Sequence, residues 1–397
     1  MQDNRAAGMG ICALCDAPLT AENDSREHII LQALGGRRTV SGFICAPCNN
    51  TSGHTWDAAL AKQLNPFSLL FHIDRQDGEP PAQVFQTTSG GTIRIAYDGL
   101  QLPKPTIETT PNGAGVKIQV TARTMAEARE ILTGLKRKHP EIDIDATLAS
   151  ATSTYSYMTE PVTMNVAIGG ADAGRSIVKS AFALAVANGA APSECDEAKR
   201  YLASGENACF GYFNEVDLVE GRPPTTVVHC AAVSSTDDGL LLGYVELFSA
   251  FRIVVCLASN YHGNPISAVY AIDPVSGSEL DVTVRLSFTR EDRVDIFEYR
   301  RIPDGSVRNA LHEIIPDAIG REFEREKVAV IERAVKNGWS KLGLEPGALL
   351  TPDHITKLSG LIVEQMLPLF LHQVRKNNNP PQQGIPVPPT NSPKEDS

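Results

Sequence analysis

The sequence lacks three features that mark large classes of protein. It has no run of about 18 consecutive apolar residues, so we expect no transmembrane helix and no membrane association. Its first residues contain no apolar segment after a basic start, so we expect no secretory signal and a cytoplasmic location. It also lacks an excess of basic residues, since 36 Lys and Arg stand against 47 Asp and Glu, a net charge of −11. Contact with nucleic acid must therefore come from a local patch, a metal ion or a partner.

The composition is otherwise that of a folded protein. Apolar residues make up 42% of the chain and charged residues 21%, which excludes a mostly disordered, collagen-like or coiled-coil protein. The length of 397 residues indicates two or three domains.

Cysteine is scarce, but half of it is concentrated near the N-terminus. Four of the eight cysteines form two C-x2-C pairs, Cys12/Cys15 and Cys45/Cys48. In a cytosolic chain such pairs are more typical of metal ligands than of disulfides, and four thiolates suit tetrahedral Zn²⁺. A redox dithiol, an iron–sulfur cluster and a chance pairing are the alternatives. We predict a structural zinc, whose binding supplies folding free energy to a segment poor in large apolar residues.

The segment between and just after the cysteine pairs carries a dense set of polar groups. Glu27-His28 is followed by a Gly35-Gly36 turn and by a β-type run that ends at Cys45. This pattern predicts a short β-hairpin. Asn49 follows the second cysteine pair, and the run 56–64 has helical spacing. The predicted order is therefore strand, strand, helix, held together by zinc.

This arrangement resembles the HNH endonucleases, the ββα-metal nucleases, over residues 10–65. The shared pattern is C-x2-C … E-H-I-I … G-G … C-x2-C-N-N … G … D, and it is most similar to the subgroup with two C-x2-C zinc knuckles. The resemblance covers about a sixth of the chain. It implies a small ββα-metal fold and hydrolysis of phosphodiester bonds.

The resemblance also implies roles for individual side chains. His28 matches the general base that activates water, a task suited to a neutral imidazole. Glu27 matches a carboxylate ligand of the catalytic Mg²⁺ or Mn²⁺, and Asn49 matches its second ligand. Supporting roles in phosphate contact or orientation are implied for Asn50, His54 and Asp57. Arg37 and Arg38, at the predicted hairpin turn, are further candidates for phosphate contact, and the alternative for them is a solvated turn.

Two positions depart from the family pattern. The second strand lacks the Asn that orients the histidine in many HNH proteins, so Ser41 or a backbone carbonyl must orient His28. Glu27 stands where Asp is usual, which lengthens that ligand by one methylene. The purely structural alternatives are an ion pair of Glu27 with Arg26 and a helix N-cap at Asn49.

The rest of the chain matches no pattern that we can name. Alternating runs predict strands within 83–122 and over 150–169, and an antiparallel meander over 225–288. Helices are predicted at 124–138, 171–188, 306–337 and 352–375. The predicted fold is therefore α+β: a zinc-pinned HNH domain at 1–73, a linker at 74–82, a larger body at 83–375 with an antiparallel sheet and C-terminal helices, as one domain or two subdomains, and a disordered tail at 376–397.

These observations predict a metal-dependent endonuclease that hydrolyses DNA, as a bacterial defence or restriction-type effector whose body controls targeting or activation. The expected partners are duplex DNA and an activating ligand or protein, and the apolar face of helix 353–375 is a candidate homodimer interface. Two alternatives stay open. One is a non-catalytic zinc-knuckle module that binds nucleic acid, and the other is an RNA-directed nuclease, because the motif contacts phosphate rather than sugar.

Overall fold

A computed structural model describes residues 10–113, 115–152, 158, 160–164, 166–345 and 347–378. These residues form two compact units. One combines the chain up to residue 128 with 162–322, and the other combines 129–161 with the chain from 323 onward. Among the described residues, no helix combines the length and apolarity needed to cross a bilayer.

The first unit begins with the predicted strand–strand–helix motif. Its elements are β1 (Glu27–His28), β2 (Thr39–Val40), α1 (Ala46–Ser52), a π-helical turn (Gly53–Asp57) and α2 (Ala58–Leu70). The two strands pair antiparallel, so that His28 stands opposite Thr39. The hairpin and the helix are therefore confirmed, although the helix continues past the predicted end at residue 64. The linker at 74–82 stays a prediction, and residues 10–73 share their unit with the sheets described next.

Short strands and two helices follow. They are β3 (Gln83–Thr87), β4 (Thr92–Ala96), β5 (Gly99–Gln101), β6 (Thr106–Asn112), β7 (Gly115–Thr121), α3 (Met125–Lys136), α4 (Ile144–Ala149) and β8 (Val162–Thr163). Four of the strands form a sheet of order β5-β4-β3-β8, and β6 and β7 form a separate ribbon. Of the predicted strand over 150–169, the described residues contain only β8, and residues 153–157, 159 and 165 lie outside them.

The centre of the first unit is a helix layer on an antiparallel sheet. The elements are α5 (Gly170–Ala187), α6 (Asp196–Ser204), β9 (Phe210–Tyr212), β10 (Val219–Glu220), β11 (His229–Ser235), β12 (Leu241–Leu247), β13 (Phe251–Ala258), β14 (Ser267–Ile272), β15 (Glu279–Leu280) and β16 (Thr283–Val284). Six strands form one sheet of order β15-β14-β11-β12-β13-β9, while β10 pairs with β16. This confirms the predicted antiparallel sheet, but the connectivity is not that of a simple meander, because β14 returns to pair with β11 rather than with β13.

Helix α5 packs against the six-stranded sheet on one side and the HNH-like motif on the other. Gly243 on β12 permits the close approach to the sheet, because a Cβ there would lie 2.7 Å from the Cβ of Ala181. On the other side, the ring of Phe182 meets Phe43 edge to face, with centroids 5.2 Å apart. The middle of α5 is therefore buried on all sides, and any charged residue in it must find partners.

The last described part of the chain, from residue 290 to residue 378, contains three helices, α7 (Arg290–Phe297), α8 (Ser306–Leu342) and α9 (Pro352–Asn378). Thr289 and Asp292 form a capping box at the start of α7. The two long C-terminal helices that we predicted are confirmed. The predicted disordered tail falls on residues 376–378, which belong to α9, and on residues 379–397, which lie outside the described residues.

Candidate active site

The two cysteine pairs converge on one point. The Sγ atoms of Cys12, Cys15, Cys45 and Cys48 lie within 4.8 Å of one another, and none of these cysteines is in a disulfide. Burial opposes ionisation of Cys12, but backbone N–H groups, including that of Cys45, lower its pKa to about 7. The donor set and its spacing fit the structural Zn²⁺ that the sequence predicts.

Helix α1 links the cysteine cluster to the polar residues. It begins directly after Cys45, so Cys48 and Asn49 are consecutive helical residues. Successive side chains on a helix point about 100° apart, so the side chains of these two residues face different parts of the structure. Cys48 joins the thiol cluster, whereas the Asn49 amide Nδ2 donates to the carbonyl of Arg26, next to β1, at 3.4 Å.

An open cleft of about 270 Å³ lies between β1 and the helical segment that runs from α1 into α2. Four of the predicted site residues line it: Glu27, His28, Asn49 and Asp57. Arg26 also lines this cleft, whereas Asn50 and His54 are exposed and do not. The structure thus brings together all three residues that the sequence predicts to be catalytic.

His28 is half-buried in the cleft wall. Burial lowers the pKa of its imidazole, while the negative charge of Asp57 and a hydrogen bond from the ring to the side chain of Gln76 oppose this shift. The ring is therefore neutral at pH 7, the form that can accept a proton. We expected Ser41 or a backbone carbonyl to orient this ring, whereas the structure places Gln76, from the chain after α2, in contact with it.

Glu27 is buried, with 4% of its surface exposed, and its partner comes from a distant part of the chain. Its Oε1 lies 2.7 Å from the Nζ of Lys179 on α5, and the Oδ2 of Asp57 lies 2.6 Å from the same Nζ. The hydroxyl of Ser176 donates to the other oxygen of Asp57 at 2.6 Å. Burial raises the pKa of Glu27, and the charge of Lys179 opposes that shift.

Lys179 is the residue that sequence reasoning missed. The alternative that we weighed for Glu27 was an ion pair with Arg26, but the ammonium that it contacts lies on α5. The sequence did contain a signal, because Lys179 is the only charged residue after Arg175 in the helix predicted at 171–188. A charge in the middle of a buried helix indicates a partner elsewhere in the fold.

Arg37 and Arg38 do not line the cleft. Arg38 forms an ion pair with Glu279 on β15 and lies over the ring of Tyr270, 4.5 Å from its centroid. The guanidinium of Arg37 donates to the carbonyl of Asp74 at 3.3 Å. Contact of either arginine with phosphate stays a prediction, and for Arg38 it would replace or extend an existing ion pair.

Comparison with known proteins agrees with this geometry. Residues 12–65 match the family model described as HNH endonuclease. This part of the chain is an HNH domain. The match spans the four clustered cysteines and the four predicted residues that line the cleft, but not Gln76 or Lys179. No curated protein and no solved structure matches the chain.

Proposed function

We propose that the protein is a metal-dependent endonuclease that hydrolyses DNA phosphodiester bonds in the cleft of its HNH domain. One observation carries the proposal: His28, Glu27 and Asn49 line the same open cleft, inside the segment that matches the HNH family. A zinc-knuckle module without catalysis gives no reason for a neutral histidine to lie beside two carboxylates in a solvent-accessible cleft.

The donors in the cleft fit a hard divalent cation. Glu27 offers carboxylate oxygens and Asn49 an amide oxygen, the ligand type that Mg²⁺ and Mn²⁺ prefer. These two residues would hold the ion, and the carboxylate of Asp57 lines the same cleft. A divalent ion bound there supplies charge stabilisation to the phosphate during hydrolysis.

The remaining chemistry belongs to side chains of the domain. His28 accepts a proton from the attacking water, and its hydrogen bond with Gln76 fixes the orientation of the ring. Arg26 presents a positive charge at the cleft to the bound phosphate. Asn50 and His54, exposed just outside the cleft, would contact the nucleic-acid backbone on either side of the cleavage point.

The wider role follows from the charge of the whole chain. A net charge of −11 disfavours binding to bulk DNA, so the body would have to control targeting or activation, through an activating ligand, a partner protein or dimerisation. This suits a cytoplasmic defence or restriction-type effector.

The test uses supercoiled plasmid and a transcribed RNA, each incubated with the full zinc-loaded chain and Mg²⁺ or Mn²⁺. We expect the wild type to nick or linearise the plasmid and His28→Ala to leave it intact, with the same zinc content in both proteins. Cleavage of the RNA but not of the plasmid would identify RNA, rather than DNA, as the substrate. Equal cleavage by the wild type and His28→Ala would refute the assignment of His28.

A further inference from the structure

Lys179 is a buried charge that the match to the HNH family does not cover. It lies in the middle of α5, between buried residues on both sides, and 1% of its side chain is exposed. A buried ammonium is stable only when it is paired and hydrogen-bonded. Its ionic partners are two residues of the HNH cleft, Glu27 at 2.7 Å and Asp57 at 2.6 Å, and it also donates to Ser52 at 3.2 Å.

Lys179 contacts the two carboxylates from outside the cleft. Glu27 and Asp57 line the cleft, whereas Lys179 does not. The ammonium therefore does not take up the space in which a cation or phosphate would bind. Two carboxylates facing one ammonium leave one acid in excess within this cluster, on the wall of the cleft that a ligand would enter.

Other contacts hold α5 in position against the HNH domain. Ser176, one turn before Lys179, donates to Asp57. Arg175 lies over the ring of Trp56, 5.4 Å from its centroid. Near the start of the helix, the amide of Gln63 on α2 donates to the carbonyl of Gly169 at 2.9 Å and accepts from its N–H at 3.0 Å. The position of Lys179 relative to the cleft is thus fixed at several points.

We propose that Lys179 is a positioning residue of the nuclease centre. Its ammonium holds Glu27 and Asp57 side by side at the cleft, so α5 completes the active site and residues 12–65 alone do not form it. This inference rests on the proposed function, because it concerns how the same cleft is kept ready for a divalent ion and a phosphodiester.

The charge of Lys179 makes the proposal testable by metal binding. If Lys179 acted only through its charge, its removal would make the cleft more negative and tighten the binding of a divalent ion. If Lys179 holds the two carboxylates in place, its removal lets them repel each other and move apart, and binding weakens. The two effects have opposite signs.

The experiment measures Mn²⁺ binding to the zinc-loaded full chain without DNA, by the loss of the free Mn²⁺ resonance signal. The variants are Lys179→Met, the conservative Lys179→Arg, and Lys327→Met as a control, because Lys327 forms an exposed ion pair with Glu324 on α8. We expect Mn²⁺ affinity to fall at least about tenfold in Lys179→Met, to recover in part in Lys179→Arg, and to be unchanged in Lys327→Met. Plasmid cleavage should follow the same order through kcat rather than KM.

The outcomes test the positioning role of Lys179 and the proposed function separately. Unchanged or tighter Mn²⁺ binding by folded Lys179→Met would overturn the positioning role, even if the wild type cleaves DNA. A wild type that neither binds Mn²⁺ nor cleaves would reject the proposed function and this inference together. If Lys179→Met fails to fold, Ser176→Ala replaces it. That change keeps the ammonium and removes one hydrogen bond to Asp57, and it should weaken Mn²⁺ binding severalfold, whereas unchanged binding would count against the proposal.

Discussion

Two clusters of buried charge within the described residues differ in a way that distinguishes the proposed active site from a structural cluster. In the HNH cleft, Glu27 and Asp57 share the single ammonium of Lys179. In the body, Glu246 on β12 is fully buried and lies 2.8 Å from Arg222 and 3.7 Å from Arg252. Both arginines also contact Asp217, at 3.0 Å.

The clusters differ in balance and in access. The body cluster pairs two acids with two arginines, and the hydroxyl of Tyr244 donates to Glu246 at 2.6 Å, so the charge of the buried carboxylate is compensated from within the protein. The HNH cluster has one acid in excess, and its carboxylates line an open cleft beside His28. Burial of charge alone thus does not indicate function; the proposed site is distinguished by an acid in excess within its buried cluster and by its open cleft.

Removal of zinc should have the largest effect and should affect one region only. Cys48→Ser breaks the four-thiol cluster, and structural zinc contributes on the order of 10 kcal/mol to small zinc domains. We expect amide hydrogen exchange in residues 12–65 to lose protection while β11–β14 stay protected, together with loss of bound zinc and of cleavage. Equal loss of protection in both regions, or full protection without zinc, would contradict a local zinc-stabilised domain.

Breaking the body cluster should reduce stability without reducing catalysis. Glu246→Leu leaves Arg222 and Arg252 without their buried acceptor, so denaturant unfolding should show a loss of about 3–5 kcal/mol. The cleavage rate of the folded protein should stay at the wild-type value. Lys179→Met should lower the free energy of unfolding by a similar amount but should also lower the cleavage rate. Equal cleavage rates for folded Glu246→Leu and Lys179→Met would contradict the distinction between the two clusters.

An exposed ion pair provides the matched control for this stability change. Arg38 and Glu279 are 43% and 51% exposed, and exposed pairs contribute between about 0 and 1 kcal/mol. Arg38→Ala should therefore change the free energy of unfolding much less than Glu246→Leu does.

The buried His229 should make stability depend on pH. Burial lowers the pKa of its ring to about 3, and the ring connects the two regions, with Nε2 3.0 Å from the carbonyl of Leu34 and Nδ1 accepting from the N–H of Phe248 at 2.9 Å. The unfolded chain binds this proton near pH 6.5 and the folded chain does not. His229 should thus reduce stability as pH falls from about 6.5 towards 3, and in His229→Gln that part of the pH dependence should disappear. An unchanged dependence in that variant would rule out His229 as its source.

The effect that we expect of Gln76 is small and confined to catalysis. Gln76→Ala removes one side-chain hydrogen bond to His28, a contact worth about 0.5–1.5 kcal/mol, so cleavage should slow severalfold. Thermal unfolding should be unchanged, because Gln76 is exposed. A cleavage rate equal to that of the wild type would indicate that Ser41 or a backbone carbonyl, rather than Gln76, orients the ring of His28.

The sequence predicts what depends on local spacing and little of what depends on long-range packing. Cys12, Cys48, His28 and Asn49 lie within one short segment whose hairpin and helix bring them together. The antiparallel sheet also follows from alternating runs separated by turns, whereas the return of β14 to the far side of β11 does not. Lys179, by contrast, reaches Asp57 across 122 residues of sequence. The hydrophobic pattern predicts that α5 is buried, but it does not predict which carboxylates pair with the ammonium of Lys179.

The location of bound metal in crystals of the full chain, grown with Zn²⁺ and Mn²⁺, would show whether this cleft is the nuclease centre. Anomalous diffraction distinguishes the two elements. The account predicts zinc among the four Sγ atoms and manganese in the cleft, coordinated by Glu27 and Asn49 and within reach of His28. Manganese bound elsewhere, in a protein that cleaves DNA, would contradict the assignment of this cleft as the nuclease centre.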